Sequence, residues 1–582
     1  PAFQNKRNDI ENLNAALYLK ITLPLGFSIQ TTYSPRFEWT NYLFHKAAAS
    51  PDSGSQNGRV ERTHTKDFYW QWDNMLKWNK TFGKHAFDFT FLANWEKFQR
   101  WHDEMTNENF LPTDELGYGG IGFGTSPNVS SDDVYRTGDA FMGRLHYVYD
   151  QRYLITATVR RDGYSAFGLA NPRATFPAIA LGWVFSEEKF LHRPDWFEYG
   201  KLRLSWGKNG NRAVGTYAAF MQLAPRKYIY VDPATGSLVT ANTFYASTMA
   251  NPNLKWESTT SWNIGTDLTF LKGRLSANLD VYKKITTDLL VSRELPSLIG
   301  YSSVMSNIGE VQNTGVELSL NSTNIRMDKL TWRTSFSLAY NKNKITHLYG
   351  IMEDVKDADG NVIGQREADD IKNKRFIGHD IDEIWDYKVV GIWQEEEREE
   401  AAKYGQQPGD VHLLDKDMNY KYDNTDKEFQ GTTMPRLRWS MRNDFTLFKN
   451  FNISFNMYSY IGHKKTLGRF TNDNALLNVT NQIKRDYWTP ENRNNEYPRL
   501  ANKKPAGVSY AIYKNASFLR FDNISIGYTF PKKLIEPLRI QNLNVNATMK
   551  NAGYISGWPG YDPENSDANT PRVIYFGINL TL

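Results

Sequence analysis

Apolar and polar residues alternate along many segments of this chain, and a period of two residues predicts β-strands. The segments 275–281, 330–340, 451–457, 543–549 and 574–582 show the alternation most clearly, with apolar side chains at every second position and mainly polar ones between them. Successive side chains of a strand point to opposite faces of the sheet. Each predicted strand therefore has one apolar face and one mainly polar face.

A soluble β-sandwich would give the same alternation, but three features favour a transmembrane antiparallel β-barrel. The predicted strands often exceed ten residues, whereas strands in soluble proteins average about five or six. Very short turns alternate with long polar connections. Aromatic residues gather towards strand ends, as at 68–70, 147–149 and 528–530, which is typical of the aromatic girdles at membrane interfaces. We therefore predict an all-β fold whose apolar face contacts the lipid bilayer.

The lengths of the connections predict a topology. Short turns are expected at 24–26, 83–85, 150–152, 271–273 and 449–450, and the main long loops at about 46–62, 102–136, 210–254, 349–433, 462–516 and 552–571. Because such barrels have short periplasmic turns and long extracellular loops, residues 1–582 are predicted to hold about 17 strands that start outside the cell and end in the periplasm. Single-chain bacterial barrels have even strand counts, so we expect about 22 strands in all, with the N-terminal plug and first strands absent from this sequence.

Composition narrows the classes of function. The chain has no cysteine, which excludes disulfides and thiolate metal sites. Its formal net charge of +5, from 69 basic and 64 acidic residues, is too small to favour nucleic-acid binding. No apolar run approaches the ~18 residues of a membrane helix. The sequence opens on polar residues and not on a signal peptide.

Several motifs along the chain are characteristic of one family. Residues 251–257 read NPNLKWE, and residues 307–317 read NIGEVQNTGVE. Residues 176–183, FPAIALGW, are followed by SEEKFL at 186–191. These segments, with others at 202–211, 408–411, 517–520 and 560–564, resemble in their order the SusC/RagA class of TonB-dependent transporters of Bacteroidetes. The chain departs from that class at Ala178, where serine is usual.

The resemblance implies a function. It implies a multi-pass protein of the bacterial outer membrane that imports a nutrient oligomer, either an oligosaccharide or a peptide. The expected partners are a SusD-type surface lipoprotein, which closes over the mouth of the barrel, and the TonB-ExbB-ExbD complex, which acts through the missing N-terminal region. The expected cargo crosses the membrane after TonB and the proton-motive force open the plug. No cofactor is required by this mechanism.

Three loop tryptophans are the candidate substrate contacts. Trp385, Trp393 and Trp488 lie in or beside predicted extracellular loops. Aromatic platforms suit sugar rings and peptide side chains alike, and we predict that these residues contact the substrate. The alternative for each tryptophan is a packing role within the loops.

An acidic segment is the candidate metal site. Asp415, Asp417, Asn419 and Asp423 place oxygen ligands at alternating positions, a spacing loosely like that of a calcium loop. The segment lacks the glycine of such loops, and Lys421 adds positive charge. The open alternatives are therefore a calcium ion and a solvated polar loop.

Two further classes of protein share some of these features. A passive porin or a structural or adhesin barrel would share the strand pattern but would lack an upstream plug. A barrel enzyme would need a clustered catalytic set, but the ten histidines form no HExxH motif and no Gly-x-Ser-x-Gly elbow is present. We therefore expect that the protein is not an enzyme.

Overall fold

A computed structural model describes residues 4–50, 57–110, 116–301, 303–466, 486–500, 502–565 and 568–582. Parts of the predicted loops, at 51–56, 111–115, 467–485, 501 and 566–567, lie outside the described residues. Strands dominate the described chain, which confirms the all-β prediction. The chain divides into two compact units, the first comprising Pro1–Trp183, Leu204–Trp262 and Ile285–Glu310, and the second Val184–Arg203, Asn263–Lys284 and Val311–Leu582.

The elements have the following bounds. The strands of the first half are β1 (Gln4–Asn14), β2 (Leu17–Thr22), β3 (Phe27–Lys46), β4 (Arg59–Phe82), β5 (His85–Glu108), β6 (Asn128–Tyr149), β7 (Tyr153–Tyr164), β8 (Arg173–Trp183), β9 (Phe197–Asn211), β10 (Gln222–Val231), β11 (Leu238–Thr248), β12 (Glu257–Phe270), β13 (Leu275–Thr287), β14 (Leu290–Glu294) and β15 (Ser303–Asn307). Those of the second half are β16 (Glu310–Arg326), β17 (Leu330–His347), β18 (Met352–Lys356), β19 (Val362–Glu367), β20 (Glu383–Tyr387), β21 (Val389–Ile392), β22 (Val411–Leu413), β23 (Lys427–Thr432), β24 (Leu437–Leu447), β25 (Phe451–Ile461), β26 (Lys464–Thr466), β27 (Tyr513–Asn515), β28 (Phe518–Thr529), β29 (Asn542–Ser556) and β30 (Val573–Thr581).

Helices are short and few in the described ranges. The α-helices are α1 (Arg398–Lys403) and α2 (Lys532–Ile535), and short 3-10 segments occur at Pro24–Gly26, Gly117–Phe123, Phe185–Glu187, Ser297–Ile299, Glu395–Glu397 and Glu536–Leu538. Among the described residues, none of these helices has the length and apolarity that crossing a bilayer requires.

The first unit is built on an antiparallel meander. β1 and β2 pair with the two halves of β3, so they occupy one strand position with a break between them. From β3 to β8 each strand then pairs with the next one along the chain. β10 pairs with β11, and β14 with β15, as separate two-stranded hairpins. The meander follows from local sequence because tight turns join alternating segments.

The sheet of the first unit has two faces of opposite character. On one face, Trp72 lies between Tyr33 and Trp95 in the pairing register, and these three rings are 44%, 38% and 37% exposed. On the other face, Asp73 lies opposite Asn94. Along β5, the apolar face runs from Phe87 to Trp95, about 27 Å of strand. At the strand tilt of about 40° in membrane barrels this length spans about 20 Å, most of their apolar band of about 25 Å. An apolar surface of this extent is expected where a sheet contacts lipid.

Each predicted short turn is confirmed. β4 and β5 are joined by Gly83 and Lys84, and Gly83 has φ +56°. The turn after β6 places Asp150 and Gln151 at φ +50° and +54°. Asp150 accepts hydrogen bonds from the Lys84 ammonium at 3.0 Å and from the Arg152 guanidinium at 2.5 Å. These charged contacts stabilise a turn that would otherwise favour glycine.

The predicted long loops hold more regular structure than the hydrophobic pattern indicated. β5 continues to Glu108 and β6 begins at Asn128, so strand replaces much of the predicted loop 102–136. The range 210–254 contains the hairpin β10–β11, and 349–433 contains β18 to β23 and α1. In the extensions of β5 and β6, polar side chains predominate on both faces, which hides these extensions from a search for alternation. The extracellular position of the loops, like the count of about 17 strands among 22, stays a prediction.

The second unit contains a further antiparallel series. β17 pairs with β24, and the series continues through β25, β28, β29 and β30. Register shifts occur at Asn456/Met457 and at Phe521/Asn523. The long connections of this unit pack together around a set of buried side chains that we call the loop core, namely Tyr387, Ile392, Val411, Leu413, Trp488, Tyr510, Ile512, Ala516 and Trp558.

Candidate functional site

A cavity of about 760 Å³ lies on the polar face of the first unit. β4 and β5 contribute side chains at every second position, among them Asp73, Asn94 and Glu96, because their register places these residues on one face. The rest of the lining comes from β6 to β9 and from the segment before β12; its charged or aromatic members are Asp139, Arg160, Asp162, Phe176, Lys208, Arg212 and Trp256. We call this space the polar cavity.

Most charges of the polar cavity are paired. Arg212 forms an ion pair with Glu96, and its guanidinium lies 5.0 Å from the centroid of the Tyr164 ring. Arg160 Nη2 lies 2.7 Å from Asp162 Oδ1. Asn94 donates a 2.7 Å hydrogen bond from Nδ2 to Asp73 Oδ1. The paired groups fix each other's orientation and present a hydrophilic wall.

Two groups of the polar cavity retain binding capacity within the described structure. Lys208 has no ion-pair partner among the described residues, so its ammonium can receive a carboxylate or a hydroxyl. Trp256 is 5% exposed, and its Nε1 has no hydrogen-bond partner in the described part of the chain. The indole is held by Phe167, at 4.8 Å between ring centroids, and by Phe176, at 5.6 Å. A buried N–H donor without a partner is costly, and a ligand acceptor would satisfy it.

The structure places the three predicted tryptophans in the second unit, all of them buried. Trp385, Trp393 and Trp488 are 8%, 2% and 4% exposed. Trp393 donates from Nε1 to Gln406 Oε1 at 3.1 Å, and Trp488 donates from Nε1 to Gln394 Oε1 at 3.1 Å. Trp385 packs on Phe376, with ring centroids 4.9 Å apart. Trp393 and Trp488 therefore hold the loops together in this structure, and a contact of any of the three with substrate stays a prediction.

The structure brings together part of the predicted acidic set. Carboxylate oxygens of Asp415, Asp417 and Asp426 lie within 4.8 Å of one another. Asn419 instead donates its amide to Asp417 at 2.8 Å, and Asp423 accepts from the Thr425 hydroxyl at 2.7 Å. Asp426 is fully buried and accepts from the backbone N–H groups of residues 416 and 423.

The pKa values of Asp415 and Asp417 are shifted in opposite directions. Burial, and then the neighbouring Asp415 carboxylate, raise the pKa of Asp417. Burial also acts to raise the pKa of Asp415, but hydrogen bonds from the Tyr404 hydroxyl and from backbone amides outweigh it and lower that pKa. The carboxylates of Asp415 and Asp417 could together bind a hard cation. Calcium binding at this segment stays a prediction.

The charged segment before Gly405 is helical. A 3-10 turn, Glu395–Glu397, leads into α1, and Gly405 follows with φ +69°. The Glu397 carboxylate accepts the backbone N–H of Gln394 at 2.7 Å, which closes the capping box.

His463, just after β25, is expected to make the second unit sensitive to acid. The side chain is 3% exposed, and burial, followed by the cations Lys465 and Arg438, lowers the pKa of His463 to about 4. The unfolded chain binds this proton at about pH 6.5. The stability contributed by the neutral imidazole is therefore complete above pH ~6.5 and is lost as the pH falls towards 4. Between pH 7 and 4.5 we expect a loss of about 2–3 kcal/mol.

Thermal unfolding of the full-length protein at several pH values would measure this loss. In a His463→Gln variant, the part of the pH dependence between pH 6.5 and 4 should disappear. An equal pH dependence in the variant and the parent would contradict the assignment.

Comparisons with known proteins place these features in context. A family model described as "TonB dependent receptor-like, beta-barrel" matches residues 1–552. TonB-dependent receptor P3 of Formosa agariphila is 28% identical over 562 residues, which are 95% of this chain and 53% of that protein. TonB-dependent receptor SusC of Bacteroides thetaiotaomicron is 32% identical over 467 residues, which are 76% of this chain and 43% of SusC. The chain spans about half the length of the curated relatives it matches.

Solved structures show the same fold. The structure of the RagAB peptide transporter matches with a TM-score of 0.79 and 19% identity, over 100% of this chain and 62% of that one. The RagAB peptide importer in the 'open-open' state gives a TM-score of 0.79 at 20% identity, over 100% of this chain and 62% of that one. The described antiparallel strands therefore match a TonB-dependent barrel fold.

Proposed function

The chain belongs to the TonB-dependent receptor-like β-barrel family, and we propose that it imports a nutrient oligomer across the bacterial outer membrane at the expense of the proton-motive force. Its relatives are receptors and transporters and not enzymes, and barrels of this family are outer-membrane proteins. In the proposal the strands of this chain cross that membrane many times, as most of a barrel of about 22 strands.

The polar cavity is the observation that carries the proposal. It lies on the face opposite the exposed rings of Trp72 and Trp95. A sheet with one face suited to lipid and one suited to a hydrophilic solute is the wall of a transport path. In this path Lys208 and the Trp256 indole would contact the passing cargo.

The partners of the proposed transporter follow from the family. We propose a SusD-type lipoprotein that covers the extracellular mouth, a plug domain inside the barrel, and the TonB-ExbB-ExbD complex that opens the plug. RagAB is a peptide transporter by its own description, whereas this chain is also similar to SusC. The proposed cargo is accordingly a glycan or a peptide. Both offer the carboxylate or hydroxyl acceptors that the free donors of the polar cavity can bind.

Uptake measured with and without a proton gradient tests the proposal. Cells producing the full-length protein would receive labelled oligosaccharide and peptide mixtures, and a protonophore would then collapse the gradient. We expect accumulation to fall to the level of a strain lacking the gene. A strain with a general porin, whose small solutes enter passively, is the matched control. Unchanged accumulation after collapse would overturn energised import and favour a passive porin; no accumulation in any condition would favour an adhesin or structural barrel.

A further inference from the structure

A second cavity, of about 460 Å³, lies on the opposite face of the first unit from the polar cavity. Glu11, Trp39, Asn41, Lys66 and Trp101 are among its lining residues. They come from β1, β3, β4 and β5, in the strand ends nearest to the predicted loops 46–62 and 102–136. We call this space the outer-wall pocket.

The pairing register fixes the face on which the outer-wall pocket opens. β3, β4 and β5 pair without a register shift along their whole lengths. Lys66 is an even number of residues from Trp72, so both side chains point to the same side of the sheet. The outer-wall pocket thus shares its face with the apolar band and lies about 20 Å further along the strand than Trp72.

Two tryptophans flank a lysine in this pocket. Trp39 lies opposite Lys66, and Lys66 lies opposite Trp101, in one row across three strands. The Lys66 ammonium is 5.0 Å from the centroid of the Trp101 ring. In the next row, His64 Nδ1 is 2.8 Å from Asn41 Oδ1. Lys66 and His64 are exposed, so the polar groups of these two rows are open to a ligand.

A loop lies against the same face of the sheet, on the side of the outer-wall pocket that is further from Trp72. The Arg62 guanidinium donates from Nε to the carbonyl oxygen of Tyr118 at 3.2 Å. Asn107 donates from Nδ2 to the carbonyl oxygens of Ile121 and Gly124 at 2.9 and 3.0 Å. The segment around Gly117–Phe123 is therefore folded back onto this face.

The chemistry of the outer-wall pocket fits a sugar better than an anionic headgroup. A phosphate is bound by several clustered cations, but here Lys66 is accompanied by the carboxylates of Glu11 and Asp103. The indole rings, one of which stacks on Phe37, suit a saccharide together with the carboxylates and the amide. The C–H groups of a sugar pack on aromatic rings, and its hydroxyl groups bond to planar polar groups. The pocket lies beyond the apolar face, towards the predicted extracellular loops, where the sugars of a membrane glycolipid lie.

We propose that the outer-wall pocket binds a saccharide of the glycolipid that surrounds the protein in the outer leaflet. The proposal depends on the outer-membrane setting and not on import, so either can fail without the other. The pocket would fix one glycolipid against the wall through Trp39 and Trp101, with Lys66 between them.

Binding of purified lipopolysaccharide to the full-length protein in detergent tests the proposal. We expect the double variant Trp39→Ala/Trp101→Ala to bind about tenfold more weakly, as the loss of two aromatic contacts implies. The double variant Trp206→Ala/Trp262→Ala is the matched control, because this pair of rings, 6.0 Å apart, lies elsewhere in the same unit; it should bind like the parent. A Trp39→Phe/Trp101→Phe variant keeps flat rings and should retain most of the affinity for lipopolysaccharide. It shows whether weaker binding by the alanine variant comes from the lost rings or from misfolding.

Three results would overturn the proposal. Equal lipopolysaccharide binding by the alanine variant and the parent would exclude the pocket as the site. Equal binding of the parent to phosphatidylglycerol vesicles without sugar would indicate a general lipid surface. Binding of the lipid-free core oligosaccharide as tight as that of the whole glycolipid would assign the pocket to a soluble glycan instead.

Discussion

Replacing Arg520 by alanine is expected to destabilise the loop structure of the second unit by about 3–5 kcal/mol. The Arg520 side chain is 3% exposed and that of its partner Asp562 is 1% exposed, and Arg520 Nη2 lies 2.5 Å from Asp562 Oδ1. Arg520 Nε lies 2.6 Å from Glu564 Oε2. Removal of the guanidinium leaves a carboxylate in a buried site without its countercharge, and that desolvation cost is not recovered elsewhere.

Hydrogen exchange of the backbone amides at residues 557–564 in the full-length protein would measure the effect. Arg442→Ala is the matched control, because Arg442 and Asp444 also form an ion pair but their side chains are 55% and 40% exposed. The control should change stability by only about 0–1 kcal/mol. If Arg520→Ala exchanged no faster than Arg442→Ala, the buried pair would not be holding the segment around Asp562 in place.

Replacing Trp488 by alanine is expected to cost about 3–5 kcal/mol, the usual range for a buried tryptophan. Trp488 is 4% exposed and packs in the loop core. Its ring lies directly on Gly409, where an added Cβ would come within 2.4 Å of the indole and where φ is +87°. Without the indole, the chain segments that it joins lose their common apolar contact and leave a cavity. Thermal unfolding of the full-length protein would measure the loss.

The variant Trp488→Phe separates a packing role from a role in substrate binding. Phenylalanine keeps most of the buried ring but removes the N–H that donates to Gln394 Oε1. We expect a loss of only about 1 kcal/mol and unchanged uptake. Reduced uptake with unchanged stability would instead support the substrate contact that the sequence predicts for this residue.

Local features of the fold were predictable because each rests on a few neighbouring residues. The turn at Gly83 and Lys84 is set by a glycine between two alternating segments, and it fixes the register of β4 and β5. Counting outward from that turn places Asp73 opposite Asn94. The residues that β4 and β5 contribute, a third of the lining of the polar cavity, could therefore have been found from the sequence.

The rest of the polar cavity, and the loop core of the second unit, depend on contacts between distant parts of the chain. Arg212 meets Glu96 across a sequence separation of 116 residues, and Trp488 meets Gln394 across 94. Neither contact produces a periodic pattern in the sequence. An aromatic residue in a predicted loop can be an exposed platform or a core residue, and only the packing of the loops on each other distinguishes the two.

The unbroken register of the β4–β5 hairpin also bears on how faithfully this protein assembles. Pairing can proceed from the turn at Gly83 outward, with each new pair adjacent to the last, so little loop entropy is lost at any step. A slip of one residue would move every side chain to the other face. Lys77, which pairs with Ser28 and Thr90, would then point into hydrocarbon at a cost of about 2–4 kcal/mol. In the proposed transmembrane setting, the bilayer would therefore disfavour mispaired strands during insertion.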